Sequence, residues 1–337
     1  MQRVMRTLVI LVVLVLIGGS GWWWWKAGAR EAALTGWLTE RREAGWVAEA
    51  GLLEVRGFPN RLDAVVETLE IADPAAGWAW AAERVEVLTL AYDSRQAIVV
   101  WPGEQRVGSP EERVALTGET LRASLVFADD ALTLDRLVVE AAGVGIASTE
   151  GWTATLEAAQ LNTRRTEEGG APGFGHDVAL SRVRNLRLPA PLRDRLDPAG
   201  LMPEVVETAE LDATFAFDAP WDLAAVEGAA PALTALSLRR FFVDWGELEL
   251  TARGTLRADA AGRAEGEIEI TARNWREMIR LAEATGALDE RLGRTLEQAL
   301  ELIALVSGDG DEIEVPLTFS RGRMRLGPVT LGDAPRL

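Results

Sequence analysis

Alternation with a period of two is the feature that most limits how this chain can fold. Leu248, Leu250, Ala252, Gly254, Leu256 and Ala258 alternate with Glu249, Thr251, Arg253, Thr255, Arg257 and Asp259. Successive side chains of an extended backbone point to opposite faces, so the stretch predicts a long strand with one apolar and one polar face. Ala260-Ala261-Gly262-Arg263 reads as a turn, and Gly266, Ile268, Ile270 and Ala272 carry the alternation onward. The pair predicts an antiparallel hairpin. The same rhythm recurs at Val65, Leu69 and Ile71, at Leu132 and Leu134, and at Ile313, Val315, Leu317 and Phe319. Near Val85, Val87, Leu88, Leu90 and Tyr92 the parity of the apolar set flips, which predicts a bulge. Strands with one greasy face belong to antiparallel sheets; a doubly wound parallel sheet needs strands that are apolar throughout.

Helical spacing appears in three places. Leu34, Trp37, Leu38 and Val47 fall at mixed three- and four-residue intervals, predicting a stalk helix over 27–50 that Gly51 stops. Asn274 is placed to cap a helix near 275–285 through Trp275, Met278, Ile279, Leu281 and Ala282, ended by Gly286. A longer one over 288–306 carries Leu292, Leu296, Leu300, Ile303 and Val306. The fold class expected is mainly β (α+β), with long antiparallel twisted sheets in two lobes and the last two helices packed on them. The lobes are set at 51–166 and 191–337. The Gly- and Pro-rich stretch 167–190, with Gly169-Gly170-Ala171-Pro172-Gly173-Phe174-Gly175, serves as the linker.

The N-terminus is different in kind. Arg3 and Arg6 precede an aliphatic run that includes Leu8, Ile10, Leu11, Leu14 and Leu16, and the consecutive Trp22, Trp23, Trp24 and Trp25 follow it. The uncharged stretch from Thr7 to Trp25, at about 1.5 Å per residue, is long enough to cross a hydrocarbon core. The arginines predict a cytoplasmic N-terminus, and the tryptophans a belt at the outer interface. Residues 1–26 then form a transmembrane anchor. The competing reading is a signal peptide cut near Ala27-Gly28-Ala29; the four bulky rings and Lys26 ahead of that site argue against it. Either reading places the domain outside the cytoplasm, which for a bacterium is the periplasmic side of the inner membrane.

Composition narrows the chemistry. The 337 residues, 48 % of them apolar, suffice for one large or two ordinary domains. A net charge of −17 argues against nucleic acid as a partner. The chain has no cysteine, and His176 and Lys26 are its only histidine and lysine, so the usual bases and nucleophiles are nearly missing. No cofactor and no metal are expected. His176 has no companion ligand, and Ser307 to Glu312 lacks the length of a calcium loop. The glycine cluster has no strand before it and no lysine after it, unlike a phosphate cradle. The 52 acids sit mostly on polar strand phases, and no catalytic string such as G-x-S-x-G occurs. An enzyme is therefore not expected. Trp78, Trp80, Trp101, Trp152, Trp221, Trp245 and Trp275 read first as packing residues and second as the wall of a groove for an acyl chain.

Several short stretches taken in order carry a resemblance. Gly57-Phe58-Pro59-Asn60-Arg61 comes first, then Ala91-Tyr92-Asp93 running on to Trp101-Pro102. Asp244-Trp245-Gly246-Glu247-Leu248 follows, with Gly254 and the Gly262 and Gly266 pair leading to Asn274-Trp275-Arg276. The last are Gly322, Leu326-Gly327-Pro328 and Leu331-Gly332-Asp333-Ala334-Pro335. In this order they resemble the uncharacterised bacterial family known as domain of unknown function 2125, over roughly residues 28 to 335. The resemblance implies an inner-membrane-anchored periplasmic protein and supplies no activity. More distantly, long one-sided strands behind one anchor look like the AsmA-like envelope proteins, whose half-tube sheets are thought to carry lipid between membranes; this chain is too short to span a periplasm. The motif residues also read as shape-setting: Pro59 holds Phe58 extended at a corner, Gly254 and Gly266 lie on the apolar phase of their strands, and Pro328 after Gly327 fits an edge strand.

The function expected is a non-enzymatic envelope protein that binds a lipid or another apolar ligand along a concave sheet. The alternative is a structural or assembly scaffold that docks other envelope proteins, and the third reading is a hydrolase on envelope polymers.

Overall fold

The computed structural model describes residues 2–166, 174–198, 200, 202–227, 229–286, 288–307 and 310–337, with side chains from residue 18 onward except 226, 227, 306 and 307. Within these residues there are seventeen strands and five α-helices, and every strand pairing described is antiparallel. The protein is mainly β. It divides into two compact units, residues 1–126 with 148–150, and residues 127–147 with 151–337.

The first unit opens with helix α1 (Gln2–Glu43). Its end lies several residues before the expected Ala50. Gly45 takes φ +89°, its N–H bonds the Arg42 carbonyl, and the Trp46 N–H bonds the Arg41 carbonyl. This double bond around a left-handed glycine closes a helix. Val47, Ala50 and Gly51 consequently belong to β1 (Val47–Arg56). It pairs with β2 (Asp63–Asp73), which pairs with β3 (Trp78–Leu90). The long β3 is shared by β4 (Asp93–Val100) over one half and β5 (Gln105–Gly108) over the other. Beyond them lie β6 (Arg113–Thr117), paired with β5, and β7 (Thr120–Phe127), paired with β4. The parity flip has its counterpart in a register shift between Thr89 and Leu90. Leu38 of α1 is buried with Ala48, Val66, Leu69, Ile71, Ala82 and Val85, so the helix lies along this sheet.

The second unit is a meander in which each strand pairs with the one before it. It runs β8 (Leu134–Ser148), β9 (Thr153–Thr166), β10 (Gly175–Arg187), β11 (Val205–Phe217), β12 (Leu233–Trp245), β13 (Leu248–Ala258) and β14 (Ala264–Arg273). It ends with β15 (Glu312–Ser320), β16 (Arg323–Leu326) and β17 (Val329–Asp333). Short helices α2 (Ala190–Leu196) and α3 (Leu223–Glu227) sit in the connections, and α4 (Trp275–Ala284) and α5 (Glu290–Ser307) are inserted between β14 and β15.

The expected linker is thereby corrected. Residues 167–173 lie outside the described residues, but Gly175–Arg187 is an interior strand bonded on both sides. A glycine-rich run beside it disguised its alternation of His176, Val178 and Leu180, in which the histidine behaves as an apolar-face residue. The first-lobe boundary at 166 falls with it, because β8 and β9 belong to the second unit. Asn274 does precede α4, yet its side chain makes no cap. It takes φ +60° and sends its amide to the Glu247 carbonyl and carboxylate at 3.2 and 3.3 Å, while its own carbonyl accepts the Glu277 N–H.

Candidate ligand-binding face and helix base

The register of the second unit lines up apolar residues across eight strands. Val139 stands opposite Leu161, Leu161 opposite Leu180, and Leu180 opposite Leu211. The row continues through Phe241, Ala252, Ile270 and Val315. Two residues along, or three on β12 where a bulge intervenes, Leu137, Thr163, Val178, Ala213, Leu238, Gly254, Ile268 and Leu317 form a parallel row on the same face. The opposite face carries ion pairs: Arg253 with Glu269 and Glu314, Arg273 with Glu249 and Glu312, and Arg239 with Asp212 and Asp177.

Cover is uneven along the apolar face. Trp275 and Ile279 of α4 and Leu296, Leu300 and Ala304 of α5 form one cluster with Ala272, Ile313, Val315 and Val329, so both helices roof the β13–β17 end. Trp275 is only 1 % exposed, its indole N–H bonds the Gly310 carbonyl at 3.2 Å, and the Arg276 guanidinium lies 4.3 Å from its ring. Further along, Leu256, Ala264, Ile268 and Phe319 pack with Ala334 and the partly buried Leu337. Toward β8 the row changes character, with Val139, Leu161, Leu180, Leu211 and Phe241 all half-buried.

Gly254 and Gly266 sit on this face at φ +151° and +140°. A Cβ on Gly254 would lie 2.2 Å from the Glu267 carbonyl oxygen, and one on Gly266 would lie 2.2 Å from that of Thr255. Each glycine therefore lets the partner strand's backbone approach. At the β12–β13 turn, the Trp245 indole donates to the Pro203 carbonyl at 2.8 Å and the Gly246 N–H to Glu207 at 3.0 Å. Gly327 and Pro328 make the two-residue turn from β16 to β17, and the Gly327 N–H bonds the Pro316 carbonyl at 2.8 Å.

The other motif residues gather in the first unit, where α1 meets the sheet. The Gly57–Asn60 corner joins β1 to β2, its Phe58–Pro59 bond is cis, and the Arg61 N–H closes onto the Gly57 carbonyl at 2.8 Å. Ala91 and Tyr92 turn β3 into β4 beside it, the Ala91 N–H bonding the Asn60 carbonyl. Into this pair of turns α1 inserts Trp23, which is 3 % exposed. Its indole N–H donates to the Arg61 carbonyl at 2.7 Å, and its ring meets Phe58 edge-on with centroids 5.5 Å apart. Ala27, Leu62 and Ala91 complete the cluster. Lys26 donates to the Ala91 carbonyl at 3.0 Å and lies over the Trp22 ring, and Arg30 donates to the Thr89 hydroxyl at 2.7 Å. The run of four tryptophans is thus split: Trp23 faces the sheet, while Trp22, Trp24 and Trp25 are exposed. The spacing Trp23, Ala27, Arg30, Leu34, Leu38 is one helical stripe, the sequence signal for this docking. Leu8, Ile10, Leu11, Leu14 and Leu16, the residues expected to form an anchor, lie on α1, with side chains outside the described residues. Among the described residues no helix is long and apolar enough to cross a membrane.

At the far end of the same sheet, Val47, Ile71, Trp78, Trp80, Val107 and Pro110 line an open cleft of about 560 Å³. Trp46 meets Trp78 edge-on, and Arg41 stacks near both Trp37 and Trp46.

Reactive groups are few. Among the described residues no three His, Cys, Asp or Glu side chains group as a metal site would require. His176 is buried, its Nδ1 3.2 Å from the Thr163 hydroxyl and its ring against Phe217. Burial, then the nearby Arg165 charge, holds its pKa below the ordinary 6.5. The Glu314 carboxyl is raised by its contact with Glu269, which a hydrogen bond from Arg253 holds low, but the pair lies open to solvent on the polar face, in no cleft.

Fold and site define a class: a one-sided antiparallel sheet protein with a long N-terminal helix docked through aromatic turns. The chain belongs to the bacterial family described as "Uncharacterized protein conserved in bacteria (DUF2125)", whose model matches residues 23–335. No curated protein and no solved structure matches it.

Proposed function

We propose that this is a non-enzymatic protein, anchored in a bacterial inner membrane by the start of α1, that holds an acyl chain or similar apolar ligand on the periplasmic side. The ligand lies against the β8–β12 part of the apolar face in the second unit. The observation that carries this reading is the contrast along one row: Val315 is 1 % exposed beneath α5, while Val139, Leu161, Leu180, Leu211 and Phe241 are only half-buried. Apolar surface of that extent gains free energy from any further cover, at about 25 cal/mol per Å². An acyl chain laid across the strands supplies that cover without hydrogen-bond partners. The one-sided sheet behind an N-terminal aliphatic helix also accords with the AsmA-like envelope proteins, an analogy of architecture.

The chain has no cysteine, so a single one is labelled without background. Full-length Leu180→Cys carrying an environment-sensitive fluorophore is titrated with palmitate and with phosphatidylglycerol in mild detergent. The expected result is a saturable blue shift, weakened by adding Leu211→Glu. A fluorophore that stays unresponsive to both lipids sinks the reading.

A second reading, a scaffold for envelope proteins, draws on one observation. Leu302 and Leu305 of α5, 67 % and 74 % exposed, point away from the sheet. It gains ground if the Leu180 label is silent while Leu302→Glu alters the protein's associations in membranes.

A further inference from the structure

The corner Gly57–Asn60 and the turn Ala91–Tyr92 carry two large rings that packing leaves outside. Phe58 is 53 % exposed although its other edge meets Trp23, and Tyr92 is 72 % exposed. Both turns lie at one end of the first unit's sheet. The eleven-residue β2 separates them from the Asp73–Trp78 turn by about 36 Å. That end is the one at which the aliphatic run of α1 arrives, since Trp23 is bonded to Arg61 and Lys26 to Ala91. Phe58 meets Trp23 edge-on and Ala91, the residue before Tyr92, accepts from Lys26, so both turns lie beside the stretch of α1 that carries Trp22, Trp24 and Trp25. Tryptophan and tyrosine concentrate at the headgroup level of bilayers because each joins an apolar body to a polar tip.

We infer that these two turns form a second membrane contact, in which Phe58 and Tyr92 enter the headgroup layer beside the tryptophans and hold the first unit's sheet against the lipid surface. The occupant is lipid, because the same helix brings an aliphatic stretch to this end and the cations there are already satisfied. Lys26 is committed to a backbone carbonyl and the Trp22 ring, and Arg30 to Thr89. An anionic protein partner would find little free positive charge. The inference rests on the anchoring part of the proposed function and adds that the folded sheet itself, not only the helix, touches the membrane.

The test uses the full chain in vesicles of phosphatidylethanolamine and phosphatidylglycerol, with one fluorophore per molecule. Labels are placed at Tyr92→Cys and at Asn60→Cys, exposed positions that leave the Phe58 ring and Trp23 in place. Ser109→Cys, exposed near the opposite end of the sheet, is the reference, and Leu11→Cys reports the anchor. Lipids carrying a nitroxide near the glycerol backbone should quench the labels at 92 and 60 several-fold more than the label at 109. A nitroxide deep in the acyl chain should quench the label at 11. If 11 is quenched while 92 and 60 behave like 109, the inference is overturned and the anchor stands. If 11 is not quenched, the anchoring reading falls and the inference with it.

Discussion

Gly254 and Gly266 occupy paired strands, each facing the backbone of the other's neighbour. At φ +151° and +140° a β-carbon is strained and meets a carbonyl oxygen at 2.2 Å. Gly254→Ala should therefore destabilise the protein by about 2 to 3 kcal/mol, seen as a lower urea midpoint with an unchanged slope. Ala258→Gly, at the end of the same strand, is the mild comparison. His176 supplies a second residue-level prediction. Its folded pKa lies below 6.5, so at acidic pH the unfolded chain takes up a proton that the folded chain does not. The stability it contributes is complete above pH 6.5 and is lost as pH falls from there through the folded value. His176→Phe should flatten the fall in urea midpoint between about pH 7 and about pH 5. The apolar phase of both glycines is legible from alternation alone; their φ angles depend on how two strands meet. The inward turn of Trp23 is legible only as a stripe with Ala27 and Leu38, because four adjacent tryptophans give no hint of which one faces protein.

Helix α1 docks on the first unit's sheet through one stripe of residues, and that docking can be tested by itself. Trp23→Ala removes a buried ring and leaves the Arg61 carbonyl without its indole donor, a change that in a core costs about 3 to 5 kcal/mol. Hydrogen exchange should then rise across residues 18–43 and the β1–β2 corner while β13 and β14 keep their protection. Unchanged exchange in α1 would mean that Leu38 and its neighbours hold the helix without Trp23. At this scale the strands and the two inserted helices follow from pattern, since β13, β14, α4 and α5 have periods long enough to read. Boundaries follow less well. Gly45 ends α1 where Gly51 was expected to, because the choice depends on Ala48 and Ala50 finding Ile71 and Leu69 across the sheet. The strand β10 hides behind glycines for the same reason: its pairing on both sides, not its composition, keeps it extended.

For the molecule as a whole, one-sided strands specify antiparallel pairing and so the mainly β class, while the division into units does not follow from glycine-rich punctuation. β8 and β9 join the second unit because hydrogen bonds tie β9 to β10 and β8 to β9, and no local signal marks that allegiance. The apolar row from Val139 to Val315 is likewise invisible before the register is known, since it needs seven pairings to align one residue from each of eight strands. Every pairing from β8 to β17 joins neighbours in sequence. A sheet of that kind has no need to bring distant segments together first, and closing short loops is fast. Such a chain can settle in the order of its synthesis, each newly delivered strand sealing the edge left by the last. The longest wait is that of β14 for β15, and it is filled by the making of α4 and α5, the two helices that then roof the β13–β17 end.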